Sequence, residues 1–420
     1  MKQKIRLLQR RTVHYLLAVT YWLTKRLPIQ PKKVVFATYR SDRLVDNFRA
    51  VYDELERRDL GYQYVFLLKR FPQSLVGQIQ YVFHMMRATY ELATARYFII
   101  DDYYYPVYVS PLRKGTEVIQ LWHACGAFKK FGYSVLDKSY SPDDDYLKMV
   151  QIHRNYNKVY VSGESCVAPY AEAFGMAPER IYPLGVPRTD QLLNTARQAR
   201  AREKLYARYP DWRSKRIILL APTFRGNGQT TAHYDQELDF EKFRRELGPD
   251  TVLLLRMHPF VLNPPVVPDA YADQIINMTD YPDINDLMQI ADILITDYSS
   301  VIFEFALLQK PMIFLVNDLQ SYKAERDFYF PYESFVPGPI VSTFEDVIAW
   351  IKRGQFDTHK IETFANQFFT YQDGEATKRI VDHMYMTRFQ KHLFIRKRQC
   401  EYKKNVPIAS PFGERDVIGT

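Results

Sequence analysis

Residues 291–315 read ADILITDYSSVIFEFALLQKPMIFL, and this stretch decides the fold class of the 420-residue chain. A buried strand runs into a polar turn, and an apolar helix and a second buried strand follow it. This order is typical of an α/β domain built on a parallel sheet. Ligands of such sheets bind beyond the carboxyl ends of the strands, which is where the polar turn lies.

Two adjacent serines, Ser299 and Ser300, stand at the predicted start of the helix. Their hydroxyls and the free N–H groups of a helix start suit a phosphate, at the positive end of the helix dipole. The alternative is an ordinary helix cap, because serine is favoured at that position in any helix. With Ser300 as the cap, a capping box would place its acid at Phe303. The acid is instead Glu304, which is therefore available to accept hydrogen bonds from ribose hydroxyls.

The composition is that of a globular chain with a preference for anionic partners. The net charge is +9 and the pI is about 9.1, which favours nucleic acid, an anionic membrane leaflet or a phosphate-rich polymer. No RNA-recognition, zinc-finger or helix-turn-helix signature occurs, so nucleic acid is not expected. Cys125, Cys166 and Cys400 form no CxxC pair, which predicts a reducing compartment rather than a disulfide framework or a zinc site.

The chain is long enough for two α/β domains, and strand-like runs alternate with helical stretches in two series. The first series lies within residues 34–195 and the second within residues 196–385, and a basic helical segment at 195–210 connects them. We predict two Rossmann-like domains with a cleft between them, where ligand sites commonly lie. Residues 1–33 and residues 386–420 are separate basic segments at the two ends.

Residues 1–33 combine basic side chains with a short apolar run, Tyr15–Leu23. The run is half the ~20 residues that a membrane span requires, and no small-residue cleavage site follows it. The spacing allows a basic amphipathic helix that lies in an anionic membrane interface. Its apolar face would comprise Leu16, Leu17, Tyr21 and Trp22. The alternative is a helix docked on the first domain, and the sequence leaves both open.

Three predicted strands of the second series end in polar loops, which begin after Leu220, Leu255 and Ile295. If the strands are parallel neighbours, the polar side chains of these loops meet at one edge of the sheet. They are Thr223, Arg225, Arg256, His258, Ser299 and Ser300. Arginines, a histidine and hydroxyls together suit a diphosphate. Neither a GxxxxGK[ST] loop nor a GxGxxG fingerprint occurs, which argues against a P-loop ATPase and a dinucleotide enzyme.

In the first series, His123 follows a buried strand and precedes a run of small residues. Imidazole titrates near neutrality, so it can take a proton from an attacking hydroxyl. The alternative is a structural histidine beside Trp122. The tight turn that follows and the adjacent lysines, Lys129 and Lys130, favour the catalytic interpretation. Asp143–Asp145 is similar to a metal-binding DxD motif, but a solvated loop is the simpler interpretation, so neither a metal nor a cofactor is predicted.

Seven short motifs follow one another in order between residues 34 and 385. They are Trp122-His123…Gly126 with Lys129-Lys130-Phe131-Gly132, Gly185-Val186-Pro187-Arg188, Ala221-Pro222-Thr223-Phe224-Arg225, Arg256-Met257-His258-Pro259, Thr296-Asp297-Tyr298-Ser299-Ser300…Glu304, Pro337-Gly338-Pro339 and Asp373-Gly374-Glu375-Ala376. In this order the chain resembles the CDP-glycerol glycerophosphotransferases, the enzymes that prime and extend teichoic acids. One departure is His123-Ala124-Cys125-Gly126, where many members have His-Gly-Thr-Pro.

The resemblance implies a GT-B-like α/β fold in which two Rossmann-like domains face each other across a cleft. It implies transfer of glycerol phosphate or ribitol phosphate from CDP-glycerol or CDP-ribitol to a hydroxyl of a lipid-linked, undecaprenyl-type teichoic acid precursor, with release of CMP. The expected location is the cytoplasmic face of the cell membrane, as a peripheral protein on its anionic surface. A homo-oligomer is left open. The competing interpretation is a GT-B glycosyltransferase that uses a nucleotide sugar in cell-envelope polysaccharide synthesis.

Site residues carry over by position. His123 would be the base that activates the acceptor hydroxyl, and His258 would contact the donor diphosphate and stabilise charge. The donor-binding residues would be Trp122, Gly126, Arg188, Pro222, Thr223, Arg225, Arg256, Ser299, Ser300 and Glu304. Among these, Glu304 would bind ribose or glycerol hydroxyls. The residues that would hold phosphates are Arg188, Thr223, Arg256, Ser299 and Ser300. The mechanism implied is metal-independent.

Overall fold

The computed structural model describes residues 2–72, 74–136, 146–147, 150–226 and 231–385. Two six-stranded sheets dominate this part of the chain, and every strand pair within them is parallel. Together with the match to a solved structure reported below, the two sheets confirm the predicted GT-B-like α/β fold. Most strands are apolar and buried in their central residues because helices cover both faces of each sheet.

The first sheet is formed by the N-terminal half of the chain, in the order β2-β1-β3-β4-β5-β6. Its strands are β1 (Gln30–Thr38), β2 (Gln63–Leu68), β3 (Ala95–Ile100), β4 (Glu117–Gln120), β5 (Lys158–Tyr160) and β6 (Ile181–Tyr182). The second sheet has the order β12-β11-β10-β7-β8-β9. Its strands are β7 (Arg216–Leu220), β8 (Thr251–Leu255), β9 (Ile275–Asn277), β10 (Ile293–Thr296), β11 (Met312–Leu315) and β12 (Ile340–Val341).

The helices connect the strands and cover the sheets. They are α1 (Lys2–Thr24), α2 (Asp46–Arg57), α3 (Leu75–Thr94), α4 (Tyr105–Val109), α5 (Val167–Phe174), α6 (Pro187–Leu193), α7 (Thr195–Arg208), α8 (Phe240–Leu247), α9 (Ile284–Ile290), α10 (Val301–Ala306), α11 (Leu319–Glu325), α12 (Tyr332–Phe335), α13 (Phe344–Arg353), α14 (Thr358–Phe368) and α15 (Ala376–Tyr385). The stretch that opened the sequence analysis forms β10, α10 and β11, and β10 lies between β7 and β11 with Leu294 beside Leu219 and Met312.

One apolar core runs from the first sheet to the second. Phe98 of β3 and Leu219 of β7 belong to the same buried cluster. At the junction, Phe128 from the loop after β4 stacks on Phe335, with ring centroids 4.9 Å apart. The two domains therefore share packed side chains rather than a hinge alone.

The last described helix returns to the first sheet. Ile380, Val381 and Met384 of α15 are buried in one cluster with Val34 and Phe36 of β1. Residues 376–385 thus pack with the domain of the first sheet, although the sequence analysis groups them with the second. Because α15 completes the first core, the chain crosses between the domains twice.

Helix α1 lies against α3 and α4 rather than apart from the domain. Leu17 and Tyr21 are buried there, and the Tyr21 hydroxyl donates a hydrogen bond to the carbonyl of Pro111. The prediction that these two side chains belong to a membrane-facing surface is wrong, because the domain already covers them. Leu16 and Trp22 stay exposed. Among the described helices, none is long and apolar enough to cross a bilayer.

Candidate active site

His123 lies at the carboxyl edge of the first sheet, directly after an unusual residue. Trp122 has a φ of +52°, in the left-handed region that bulky side chains rarely adopt. Two hydrogen bonds hold this backbone: its N–H donates to Gln120 Oε1 at 2.9 Å, and its carbonyl accepts from Asn47 Nδ2 at 2.8 Å. The indole also stacks on the imidazole, with centroids 4.6 Å apart. The strained residue therefore fixes the direction of His123.

The imidazole of His123 faces a carboxylate that the sequence analysis did not assign to the site. His123 Nδ1 lies 3.0 Å from Asp102 Oδ2, which is an ion-pair distance without the alignment of a hydrogen bond. Arg40 Nε approaches the same oxygen at 3.3 Å. The three residues follow β4, β3 and β1, which are neighbours in the sheet. The visible signal was the strand of residues 96–100, which ends in two acids.

The neighbouring acid, Asp101, is partly buried, and this burial raises its pKa to about 6. Arg40 Nη1 lies 3.9 Å from Asp101 Oδ2 and opposes that rise. The carboxyl edge of this sheet thus holds two carboxyl groups beside one imidazole. With Nδ1 of His123 turned to Asp102, Nε2 is the nitrogen that can accept a proton.

At the second sheet, the loops after β7 and β10 are tied together by Asp297, another residue that the sequence analysis did not assign. Asp297 Oδ1 accepts from the N–H of Thr223 at 2.7 Å, and Oδ2 accepts from Arg225 Nη1 at 2.8 Å. Arg225 Nε also donates to Asp318 Oδ2 at 2.6 Å. Arg225 was predicted to bind the donor, but two carboxylates already engage its guanidinium. Pro222 lies partly buried in the same loop.

The loop after β8 carries the least neutralised charge of this edge. Arg256 is partly buried, and its Nη1 has no hydrogen-bond partner among the described residues. Burial lowers the pKa of Arg256, against the opposing charges of Asp280 and Asp283. A buried guanidinium nitrogen without a partner is costly, and an anionic ligand would satisfy it.

His258 follows two residues later in the same loop. Its Nδ1 accepts a hydrogen bond from the N–H of Phe260 at 3.2 Å, which places the ring proton on Nε2. Burial lowers the pKa of His258, and the charges of Arg256 and Lys129 lower it further. His258 is therefore a neutral side chain that can donate a hydrogen bond through Nε2.

A cavity of about 200 Å³ lies where the two domains meet. The first domain contributes Trp122, His123, Gly126 and Lys129 to its lining, and the second contributes Ser300. Ser300 precedes α10 but makes no capping side-chain bond, so its hydroxyl does not serve as the ordinary helix cap that was the alternative to a phosphate site. Ser299 Oγ instead accepts from the N–H of Val301 at 3.4 Å.

Only glycine fits at position 126, in the lining of this cavity. Its φ is +67°, and a Cβ would collide with the ring of Phe303 in α10. Its N–H donates to Ser162 Oγ at 3.0 Å. A residue with a side chain here would push the two domains apart.

Arg188 and Glu304, both predicted to bind the donor, are joined to each other across the domain boundary. Arg188 Nη2 donates to Glu304 Oε1, and Glu304 is buried. Glu304 Oε2 has no hydrogen-bond partner in the described chain. The N–H of Arg188 donates to Asn47 Oδ1 at 2.9 Å, and Asn47 in turn holds Trp122. One connected path thus runs from the helix after β10 to the residue that precedes His123.

Lys129 crosses from the first domain to the second. It forms an antiparallel bridge with Phe328, flanked by hydrogen bonds from Lys130 N to the Asp327 carbonyl at 2.9 Å and from Tyr329 N to the Phe128 carbonyl at 3.0 Å. Burial lowers the pKa of Lys129 to about 8, with Asp297 opposing and Arg326 and Arg225 adding to the decrease. The sequence alone indicated no role for Lys129 beyond its support for the catalytic interpretation of His123.

Within the ranges that the structure describes, no group of three or more His, Cys, Asp or Glu side chains is arranged to hold a metal ion. The Asp143–Asp145 stretch and the basic tail at residues 386–420 lie outside the described residues.

Residues 19–386 match the family model described as CDP-Glycerol:Poly(glycerophosphate) glycerophosphotransferase. The chain belongs to this family. It is 43% identical over 362 residues to the teichoic acid ribitol-phosphate primase of Bacillus spizizenii strain W23. That alignment covers 86% of this chain and 92% of the primase. It is 28% identical over 348 residues to the teichoic acid glycerol-phosphate primase of Bacillus subtilis strain 168, covering 80% of this chain and 88% of that protein.

Among solved structures, the wall teichoic acid polymerase TagF superposes with a TM-score of 0.71. The superposition covers 94% of this chain and 97% of that chain, at 22% sequence identity. At that identity the likeness shows the fold, which this glycerophosphotransferase family member shares with TagF.

Proposed function

We propose that the chain transfers a polyol phosphate from a CDP-polyol to a hydroxyl of a lipid-linked teichoic acid precursor and releases CMP. The observation that carries the proposal is the interdomain cavity, where His123 of one domain and Ser300 of the other line the same space. This reaction has two requirements. One is a proton acceptor, and the other is a set of hydroxyl and cationic groups that bind phosphates. The activities for which the family and its relatives are named support the same reaction class.

The first half of the reaction is removal of a proton. The acceptor hydroxyl gives its proton to Nε2 of His123 as its oxygen attacks the phosphorus that carries the polyol. Asp102, 3.0 Å from Nδ1, stabilises the imidazolium that forms. The residues assigned to this half all lie at the carboxyl edge of the first sheet.

The second half is departure of the nucleotide. The bond between the attacked phosphorus and the bridging oxygen breaks, and CMP leaves with that oxygen and its electron pair. In this proposal, Lys129, Arg256 and the Nε2–H of His258 balance the negative charge that develops on the diphosphate. Ser299 and Ser300 supply hydroxyls to the phosphate oxygens. The donor diphosphate would thus satisfy Arg256 Nη1, which lacks a protein partner within the described ranges.

The favoured donor is CDP-ribitol. The relative that is 43% identical is named a ribitol-phosphate primase, whereas the relative that is named a glycerol-phosphate primase is 28% identical. Purified protein should therefore release CMP from CDP-ribitol when a lipid-linked acceptor is added, and release less from CDP-glycerol. UDP-sugars should give no UDP. Absence of CMP from both CDP-polyols would reject the function, and UDP release would favour a glycosyltransferase.

The second part of the proposal is attachment to the anionic cytoplasmic face of the membrane as a peripheral protein. Helix α3 exposes Leu75, Val76, Ile79 and Phe83 at helical spacing. Helix α1 packs on α3. It exposes Leu8, Tyr15, Leu16, Trp22 and Leu23 within the basic segment 1–33. Apolar side chains and lysines or arginines together bind an anionic interface.

Vesicle sedimentation tests the attachment without removing α1, which the domain needs for packing. The variant Ile79→Glu with Phe83→Glu should bind anionic vesicles less than the wild type, and high salt should weaken what remains. A matched control is Val266→Glu with Leu262→Glu, two exposed apolar residues of the second domain. Equal loss in both double variants, or equal binding to neutral and anionic vesicles, would reject this surface.

A further inference from the structure

Asn47 is a buried polar residue that takes no part in the reaction steps proposed above. It lies in the first turn of α2 and is 2% exposed. Its side-chain nitrogen donates to the carbonyl of Trp122 at 2.8 Å, and its side-chain oxygen accepts from the N–H of Arg188 at 2.9 Å. One carboxamide thus connects α2 with the residue before His123 and with the first turn of α6.

The two bonds of Asn47 require a side chain that donates and accepts at the same time. The Trp122 carbonyl can only accept and the Arg188 N–H can only donate, so each end of the amide has one possible partner. A carboxylate of the same shape would place an oxygen against the Trp122 carbonyl. An apolar side chain would leave both buried groups unpaired. The position therefore selects a carboxamide by its chemistry as well as by its size.

The backbone that Asn47 holds is strained. The φ of Trp122 is +52°, and such a conformation persists in a bulky residue only where its surroundings enforce it. On the other side of this residue, Gln120 Oε1 accepts from the Trp122 N–H at 2.9 Å, and Gln120 Nε2 donates to the Asp102 carbonyl at 3.0 Å. Without the bond from Asn47, the backbone can relax towards negative φ. The indole that stacks on His123 would then turn with it.

We propose that Asn47 is a positioning residue for His123. Its bond to the Trp122 carbonyl keeps the strained backbone in place, and this backbone sets the direction of the imidazole. Its bond to Arg188 connects the same arrangement with the donor side, since Arg188 Nη2 also donates to Glu304 of the second domain. The inference rests on the proposed function, because it concerns the base of that reaction.

Two substitutions separate positioning from an ordinary structural role. Asn47→Asp keeps an acceptor for the Arg188 N–H but repels the Trp122 carbonyl, whereas Asn47→Leu removes both bonds. Both should lower kcat for CMP release from CDP-ribitol by about 10- to 100-fold, because the base is misplaced. Both should leave the CDP affinity measured by calorimetry unchanged. A kcat that stays at the wild-type value in either variant would overturn the inference.

The aspartate variant is the decisive one of the two. If Asn47 only satisfied the first turn of α6, Asn47→Asp would match the wild type, since Asp and Asn serve equally well at helix starts. The matched control is Asn194→Asp, because Asn194 is exposed and caps α7 by accepting from the N–H of Arg197 at 2.9 Å. This control should keep the wild-type kcat. An equal loss of kcat in Asn194→Asp and Asn47→Asp would overturn the inference.

A double-mutant cycle shows whether Asn47 acts through His123. In the His123→Asn background the imidazole is already absent, so Asn47→Leu should cause little further loss of kcat. In the wild-type background it should cause the full loss. Asn47→Ala repeats the cycle if Asn47→Leu does not fold. Equal losses in the two backgrounds would overturn the inference, because Asn47 would then act on something other than the base.

Crystal structures of Asn47→Asp and Asn47→Leu test the positioning without a reaction. In both variants Trp122 should leave the left-handed region, and its indole should no longer stack on His123. An unchanged Trp122 would overturn the inference. If the wild type releases no CMP from any CDP-polyol, the proposed function fails, while the two structures still decide whether Asn47 orients His123.

Discussion

At the carboxyl edge of the first sheet, His123 faces the carboxylate of Asp102, whereas at the edge of the second sheet Arg256 keeps a buried nitrogen without a partner in the described chain. The second edge also contains the contrasting case of Arg225, which two carboxylates engage. An arginine on a ligand-facing loop can thus be structural or ligand-binding, and the pairing of its charge distinguishes the two. In the proposed function, the first edge moves a proton and the second receives negative charge.

The largest expected effect tests the first edge. His123→Asn removes the proton acceptor, so turnover should fall by ~10²–10⁴ while CDP affinity stays at the wild-type value. Steady-state CMP release and calorimetry with CDP measure the two quantities. His359→Asn, at an exposed position of α14, is the control. A normal rate in a folded His123→Asn protein would assign this histidine to structure.

Next in size is the loss of the structural arginine. Arg225→Met leaves Asp297 buried without its cation, so the free energy of unfolding should fall by ~3–5 kcal/mol. The control is Arg245→Met, whose ion pairs are exposed and should cost less than ~1 kcal/mol. Urea denaturation followed by circular dichroism gives both values. Stability equal to that of the control would show that Arg225 is held for a ligand instead.

The ligand-binding arginine should give the opposite result. Arg256→Gln removes a charged donor to the diphosphate, so CDP affinity should fall by ~1.5–3 kcal/mol, about 10- to 150-fold. The free energy of unfolding should not fall, because Arg256 Nη1 has no hydrogen-bond partner among the described residues that the substitution would remove. Calorimetry with CDP and the same denaturation experiment measure both. Unchanged CDP affinity would contradict the diphosphate site.

The smallest effect is a pH dependence. Burial lowers the pKa of Lys129 to about 8, so the ammonium is charged below that pH and neutral above it. CDP affinity should therefore decrease as the pH rises through about 8, by no more than about tenfold. In Lys129→Met the decrease over that pH range should be absent. A wild-type affinity that is flat between pH 7 and pH 9 would remove Lys129 from the donor site.

The fold was predictable because its strands are apolar runs that end in polar loops. β7, β8 and β10 all occur where the sequence places them, and the loops of Arg225, Arg256 and Ser300 lie at the predicted edge. Such runs reflect the local spacing of apolar residues, which can be recognised in a single sequence without knowledge of distant contacts.

The pairing of charges was not predictable in this way. Arg188 and Glu304 lie 116 positions apart, and Arg225 and Asp318 lie 93 apart. The sequence indicates that each charge lies near a sheet edge, but only the packing of the two domains decides which carboxylate meets which guanidinium. The same holds for Lys129, whose contact with the second domain depends on the bridge to Phe328.

The return of α15 to the first sheet has a consequence for synthesis on the ribosome. Lys158 Nζ donates to the carbonyls of His383 and Met384, and Tyr160 shares a hydrogen bond with His383, so the first core includes residues that are made after the whole second sheet. About 180 residues separate the end of the first series from α15. At ~5–20 residues per second, roughly 10–40 s pass between synthesis of the first series and synthesis of α15. During that time Val34 and Phe36 lack the helix that covers them in the folded protein.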